Sequence, residues 1–227
     1  MPFTELHGHL AKRLFDLGAV KFGAFRLKLH ETHPDAPLSP IYLNLRTPSN
    51  PKPGPLGDAE VMDVAQEMYA LARSQGLGFE LASGVPNAGD PFAEAFCRVA
   101  AADRGRRHSI GFLILQKEEA ADGQRRVTSV RMGAYSKKDR ALLIDDSIIH
   151  ADPAFEAIRV LEQNELKVTD VLVLVDREQG GREELARRGY NLHAVFTLSE
   201  LLDFYVAACL LTHRKRDEVR EYLRTAS

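Results

Sequence analysis

The sequence predicts an α/β fold: a mainly parallel central sheet flanked by helices, with a small N-terminal hood. Three observations carry this. Short apolar runs alternate with amphipathic stretches from Phe79 onward, the pattern of a mostly parallel sheet covered on both faces. One of those runs, Leu142–Ile144, ends in two acids, Asp145 and Asp146, ahead of a loop and a helix. Open α/β sheets build nucleotide and sugar-phosphate sites in this way, at strand ends facing helix N-termini. Before the alternation begins, residues 19–46 read as a β-hairpin, the candidate hood.

In chain order, Leu6, Leu10, Leu14 and Leu17 form one face of an opening helix, with Thr4 placed to cap it and Gly18 to stop it. The hairpin strands are expected over Phe22–Leu29 and Ile41–Leu45. Four prolines (Pro48, Pro51, Pro53, Pro55) then exclude helix and central strand from Thr47 to Gly57. Asp58 is expected to cap a helix carrying Val61, Ala65, Met68 and Ala72, closed by Gly76. A strand at Phe79–Ala82 and a helix at Pro91–Ala101 follow, then strands at Ile110–Leu115, Val127–Met132 and Leu142–Ile144. Ala154, Ala157, Ile158 and Leu161 give the next helix, Pro153–Gln163, its apolar face. A strand at Val171–Val175, a short helix at Arg182–Arg188 and a strand at Leu192–Val195 complete the alternation. Thr197 and Glu200 have capping-box spacing and open the final helical region.

The 227 residues suit one domain, 1–227, with a proper core. A net charge of −2 gives no electrostatic case for nucleic acid. The main basic run, Arg104–His108, reads as a solvated connector. Cys97 and Cys209 lie in apolar stretches and read as buried free thiols. No run approaches the ~20 apolar residues that span a bilayer, and no signal peptide opens the chain, so a cytoplasmic location is expected.

Several segments resemble one family. They are AVKFGAFRLK (Ala19–Lys28), SPIYLNLR (Ser39–Arg46), SGVP (Ser83–Pro86), LLIDD (Leu142–Asp146), VTDVLVLVDREQGG (Val168–Gly181) and LHAVFTLSELLDF (Leu192–Phe204). Together they resemble the orotate phosphoribosyltransferases, of the type I phosphoribosyltransferase group. The resemblance implies that Asp145 and Asp146 contact the ribose hydroxyls of phosphoribosyl pyrophosphate, that Lys117 reaches the pyrophosphate, and that Mg²⁺ takes part if the chain is active. It places Lys28, Tyr42 and Leu43 around the base, and Arg177 on the orotate carboxylate through a bidentate fork. Arg177 has a plainer alternative, a strand-end ion pair with Asp176, Glu178 or Glu183. The resemblance also implies a homodimer, in which the loop around Lys117 serves the neighbouring subunit.

The donor side departs from that pattern. Where the family has a loop of Thr, Ser and Gly around the 5-phosphate, this chain has Ile149, His150, Ala151 and Asp152, then Pro153. Small hydroxyl residues and Gly let a loop wrap its amides around a dianion. Ile149 removes a hydroxyl, and Ala151 makes a left-handed turn costly. Asp152 is expected to cap the following helix, accepting from the amides of Ala154 or Phe155. At ~4 Å and an effective dielectric of about 20, its repulsion of one further negative charge is about 4 kcal/mol before screening. His150 has no second ligand nearby in sequence, so no metal site is expected. In the cationic loop, Gln116 stands for an Arg and Ala120 for the lysine that looks catalytic in the family. Asp90 replaces an apolar residue on the pyrophosphate side, with a second Asp-Pro cap as its plainer reading. An insertion, His30–Leu38, sits at the mouth of the site, with His30 and His33 expected in a solvated loop; Lys52 is the nearest candidate for a replacement cation.

The expectation is therefore a homologue in pyrimidine nucleotide metabolism with lost or weakened transfer, surviving as a binding or regulatory protein for a pyrimidine or nucleotide. Two alternatives stay open: an active enzyme with an unusual donor loop, and different nucleotide chemistry in the same pocket.

Overall fold

The computed structural model describes residues 5–26, 30, 34–104, 110–119 and 123–225. Its centre is a six-stranded sheet in the order β5-β4-β3-β6-β7-β8. These strands are β3 (Leu81–Gly84), β4 (Gly111–Glu119), β5 (Arg125–Met132), β6 (Arg140–Ile148), β7 (Lys167–Asp176) and β8 (Asn191–Thr197). All neighbours are parallel except β4 and β5, so the one antiparallel pair lies at an edge. The hood is a separate antiparallel pair, β1 (Val20–Phe25) with β2 (Ser39–Leu43). Each hood strand starts about two residues earlier than the apolar pattern suggests, because Val20 and Ser39 are already buried against the body.

Alternation along β6 and β7 sorts the side chains into two layers, as a sheet buried on both faces requires. Leu142, Ile144, Leu172 and Leu174 face one core, with helices α1 (Glu5–Asp16), α2 (Asp58–Ser74), α3 (Asp90–Arg104), α6 (Leu198–Ala207) and α7 (His213–Thr225) on that side. Leu143, Val171 and Val173 face the other, against α4 (Asp152–Gln163) and α5 (Gly181–Arg187). Tyr205 ties the first core together. Its hydroxyl donates to Ala11 O at 3.0 Å, and its ring lies 5.2 Å from Phe15 and 6.2 Å from Phe22 of the hood.

Several expectations are corrected. Asp58 does not cap α2; Gly57 does, and Glu60 reaches back to the Gly57 amide at 3.0 Å while pairing with Arg13. Thr197 and Glu200 do form the anticipated capping box on α6. Cys97 is a buried free thiol whose pKa burial raises to about 12. Cys209 is exposed, because α6 ends before it and it takes a left-handed turn at φ 57°. His30 is buried, its Nε2 3.1 Å from Ala36 O, where a solvated loop was expected. Thr4, His33 and most of the basic run lie outside the described residues. Among the described residues no helix is long and apolar enough to cross a membrane.

Leu172, fully buried in the middle of β7, tests the two-layer packing. Leu172→Ala should lower unfolding free energy by about 2–5 kcal/mol. Urea denaturation should show this as a lower midpoint at unchanged slope.

Candidate functional site

The acid pair sits within β6 and not just beyond it. The strand runs on to Ile148, with Asp145 in register with Val173 and Ile148 with Asp176. The apolar run marks only the buried half of the strand, and backbone pairing with β7 carries it through the acids. The β3–α3 loop folds back over this end of β6. Val85 N donates to Ile144 O at 2.9 Å, and a Cβ on Gly89 would lie 2.2 Å from that same oxygen, so only glycine fits there. The return brings Asp90, the first residue of α3, to the acids.

Three carboxyl groups thus lie near one another at the C-terminal end of β6. Burial raises Asp145 well above the usual carboxylate range, helped by the charges of Asp146 and Asp90 and opposed by Lys117. Burial also raises Asp146, against Arg46 and Arg177, and the Ser147 hydroxyl donates to it at 3.2 Å. Asp90 is pushed up to about 6 by burial, with Arg131 opposing, and its Oδ1 has no hydrogen-bond partner among the described residues. Asp90, Thr47, Glu94, Arg98 and Arg131 line an open cavity of about 680 Å³, which Asp145 and Asp146 do not line.

The loop after β6 differs from the expectation at Asp152. Asp152 is the first residue of α4; Ala151 is the N-cap, and no side chain caps the helix. Phe155 N bonds to Ala151 O at 2.8 Å, and the Asp152 side chain is exposed. The carboxylate at the loop comes instead from α5. Glu184 Oε2 accepts from Ala151 N at 2.6 Å, and Oε1 lies 3.5 Å from His150 Nδ1. Those contacts, the Ala151 amide first, hold Glu184 below the usual carboxylate range.

The turn that follows β7 places Glu184. Arg177 N donates to Ile148 O at 3.0 Å and Gly181 N to Ile149 O at 2.9 Å, pinning the turn to the loop. Gly180 has φ 103°, and a Cβ on Gly181 would lie 2.7 Å from Ile148 Cγ1 and 2.9 Å from Ile149 O. The two glycines let α5 start in contact with the loop, and Glu184 lies one turn further on. Asp176 holds the other side of the turn, accepting from Glu178 N and from Arg182 Nε at 2.9 Å each.

On the base side, Tyr42 and Leu43 are half-buried on β2, with the Tyr42 ring 5.6 Å from Phe25. The chain leaving β2 carries Arg46 close enough to offset Asp146. Arg177 is not the ion pair that its acidic neighbours suggested, since Asp176 is engaged by Arg182. It is only 7% exposed, its Nε lacks a hydrogen-bond partner among the described residues, and burial lowers its pKa while Asp146 supports the charge. Asp145, Asp146, Lys117 and Arg177 therefore lie near one another at the C-terminal end of β6, close enough to act on one another's charge. Lys28 and Ala120 lie outside the described residues. Sequence reasoning passed over Arg46, Arg131 and Glu184. Arg46 ends a segment already singled out; nothing local marks the other two.

No family model matches the chain. It is 31% identical over 195 residues to orotate phosphoribosyltransferase of Pyrobaculum aerophilum, covering 86% of this chain and 88% of that protein. The chain belongs to the orotate phosphoribosyltransferase family. It is also 34% identical over 212 residues to uridine 5′-monophosphate synthase of Bos taurus, across 93% of this chain but only 38% of the bovine protein. The UMP synthase structure of Leishmania donovani superposes with a TM-score of 0.73 at 29% identity, over 96% of this chain and 42% of that one. This orotate phosphoribosyltransferase relative thus spans little more than a third of the UMP synthases it matches, and most of the Pyrobaculum protein.

Asp90 gives a test of the crowded acids. Its pKa is raised from 3.8 to about 6 in the folded chain, so the native state holds the proton longer than the unfolded one. Its contribution to stability is present at low pH and lost as pH rises through that window. Asp90→Asn should remove the decline and exceed the parent above pH ~7 by up to about 3 kcal/mol. Urea unfolding across that pH range checks this; parallel stability curves for the two proteins would sink it.

Proposed function

We propose that this protein is an orotate phosphoribosyltransferase-like binding or regulatory protein of pyrimidine nucleotide metabolism that has lost, or nearly lost, transfer from phosphoribosyl pyrophosphate. The observation that carries the reading is the loop from Ile149 to Ala151. It has neither a hydroxyl side chain nor a glycine, and Ala151 is fully buried in the core. A dianion cradle needs several outward-turned amides around one point, with hydroxyls to complete the shell. Ala120, in place of the lysine expected there, takes away a cation that departing pyrophosphate would need. The base side supports retained binding. Arg177 offers a buried guanidinium for a planar carboxylate, with Tyr42, Leu43 and Lys28 as its proposed companions.

The same reading takes residues 1–227 as one domain in a cytoplasmic homodimer. Two-fold closure is the commonest solution for such an assembly. Solution scattering at micromolar concentration should give the mass of a dimer, and a monomer would count against this part.

A second reading, an active transferase, draws on Asp145, Asp146, Lys117 and Arg177 lying near one another at the C-terminal end of β6. In that case Mg²⁺ would enter with the donor and take oxygen ligands of the kind the two aspartates offer. Asp145 and Asp146 would hold the ribose hydroxyls, Lys117 would meet the pyrophosphate, and Arg177 would orient the base.

Calorimetry separates the two. Orotate should bind, while phosphoribosyl pyrophosphate with Mg²⁺ should stay undetected at millimolar concentration, meaning no more than about 4 kcal/mol of binding free energy. Micromolar donor affinity, or ready turnover of orotate, would replace the first reading with the second.

A further inference from the structure

We infer that Glu184 sets the ligand class of this cleft: its carboxylate holds the anion-binding end, so the cleft rejects ligands phosphorylated there and takes a pyrimidine nucleoside with a hydroxyl in that place. The inference rests on the proposed binding of a pyrimidine beside Arg177 and adds the chemistry of the far end.

Two buried groups on the same turn have hydrogen-bonding capacity to offer a ligand. Arg177 and Gln179 are 7% and 8% exposed, yet Arg177 Nε and Gln179 Oε1 have no hydrogen-bond partner among the described residues. A buried polar atom left unpaired costs about 1–3 kcal/mol, which a bound polar group would recover. Both belong to the turn that is bonded to Ile148 and Ile149. The open hydrogen-bonding capacity and the loop are thus parts of one rigid piece.

At the loop, that capacity is already used. The 2.6 Å contact between Glu184 and the Ala151 amide is a short, charge-assisted bond. The carboxylate is not a loose surface rotamer. Gly181 seats α5 on the loop, and Arg182 anchors the start of the helix to Asp176 and to Leu192 O at 2.8 Å. Nor is it sealed off, since 28% of the Glu184 side chain remains exposed, along with 58% of His150. A ligand group arriving here meets an ionised carboxylate. A phosphate dianion has no proton to offer it and loses the Ala151 amide as a donor. A hydroxyl donates to the carboxylate and can accept from His150.

Calorimetry with orotidine and orotidine 5′-monophosphate, on the parent, Glu184→Gln and Glu184→Ala, tests this. Gln can still accept the Ala151 amide, so it isolates the charge and keeps the test valid if the Ala variant fails to fold. The parent should bind the nucleoside at least as tightly as the monophosphate. Both variants should shift preference toward the monophosphate by at least about tenfold, about 1.4 kcal/mol. A parent that prefers the monophosphate, an unchanged preference in the variants, or no binding of either ligand to any of the three proteins would overturn the assignment. Tight donor binding by the parent would remove the lost-transfer reading, whereas a flat preference across the three proteins removes only the role of Glu184.

Discussion

Carboxylates near the C-terminal end of β6 are the constraint on which the rest of the site depends. Pairing with β7 runs on past both acids, and Asp146 is only 9% exposed, so the pair is held close to the body of the protein. Ionised groups in such a place need partners from elsewhere in the chain. The fold supplies them from three directions: Lys117 from β4, Arg46 from the exit of the hood, and Arg177 from the end of β7. The chain leaving the hood therefore contributes to the electrostatics of the acids. Asp90 works against this arrangement, adding negative charge where the neutralising groups are few.

The two ends of the turn after β7 differ in character. At the Arg177 end, a cation is buried and its Nε has no hydrogen-bond partner among the described residues. At the loop end, the Glu184 carboxylate accepts from the Ala151 amide. One short segment, Asp176 to Glu184, forms both ends, so changes to its turn geometry would be felt at each.

Much of this was legible in the sequence, for identifiable reasons. Strands such as Val171–Val175 announce themselves as short apolar runs and helices such as Pro153–Gln163 by periodicity, whereas the close approach at Gly181 is seen only in the structure. The acid pair was legible because two adjacent carboxylates end an apolar run, and β6 does carry both. What escaped is what depends on distance along the chain. Glu184 meets Ala151 across 33 residues, and only the folded position of α5 reveals it. Asp152 carried a persuasive local signal as a cap, but the chain enters α4 one residue earlier, and the carboxylate is left exposed. His30 misled for the same reason: a polar insertion reads as solvated until its ring is seen buried beside Ala36 O.

Tyr205 has a bearing on how the molecule assembles. Its hydroxyl reaches Ala11 across 194 positions, and its ring closes over Phe15 and Phe22. Contacts this remote in sequence form late, because the intervening chain must already be ordered before they are favourable. During synthesis the first helix and the hood emerge long before the helix that seats them. Until then Leu10, Leu14 and Phe22 face water, and the nascent front half carries an apolar surface awaiting its cover. The vulnerable stage of this protein's life is thus set by a residue 194 positions further along.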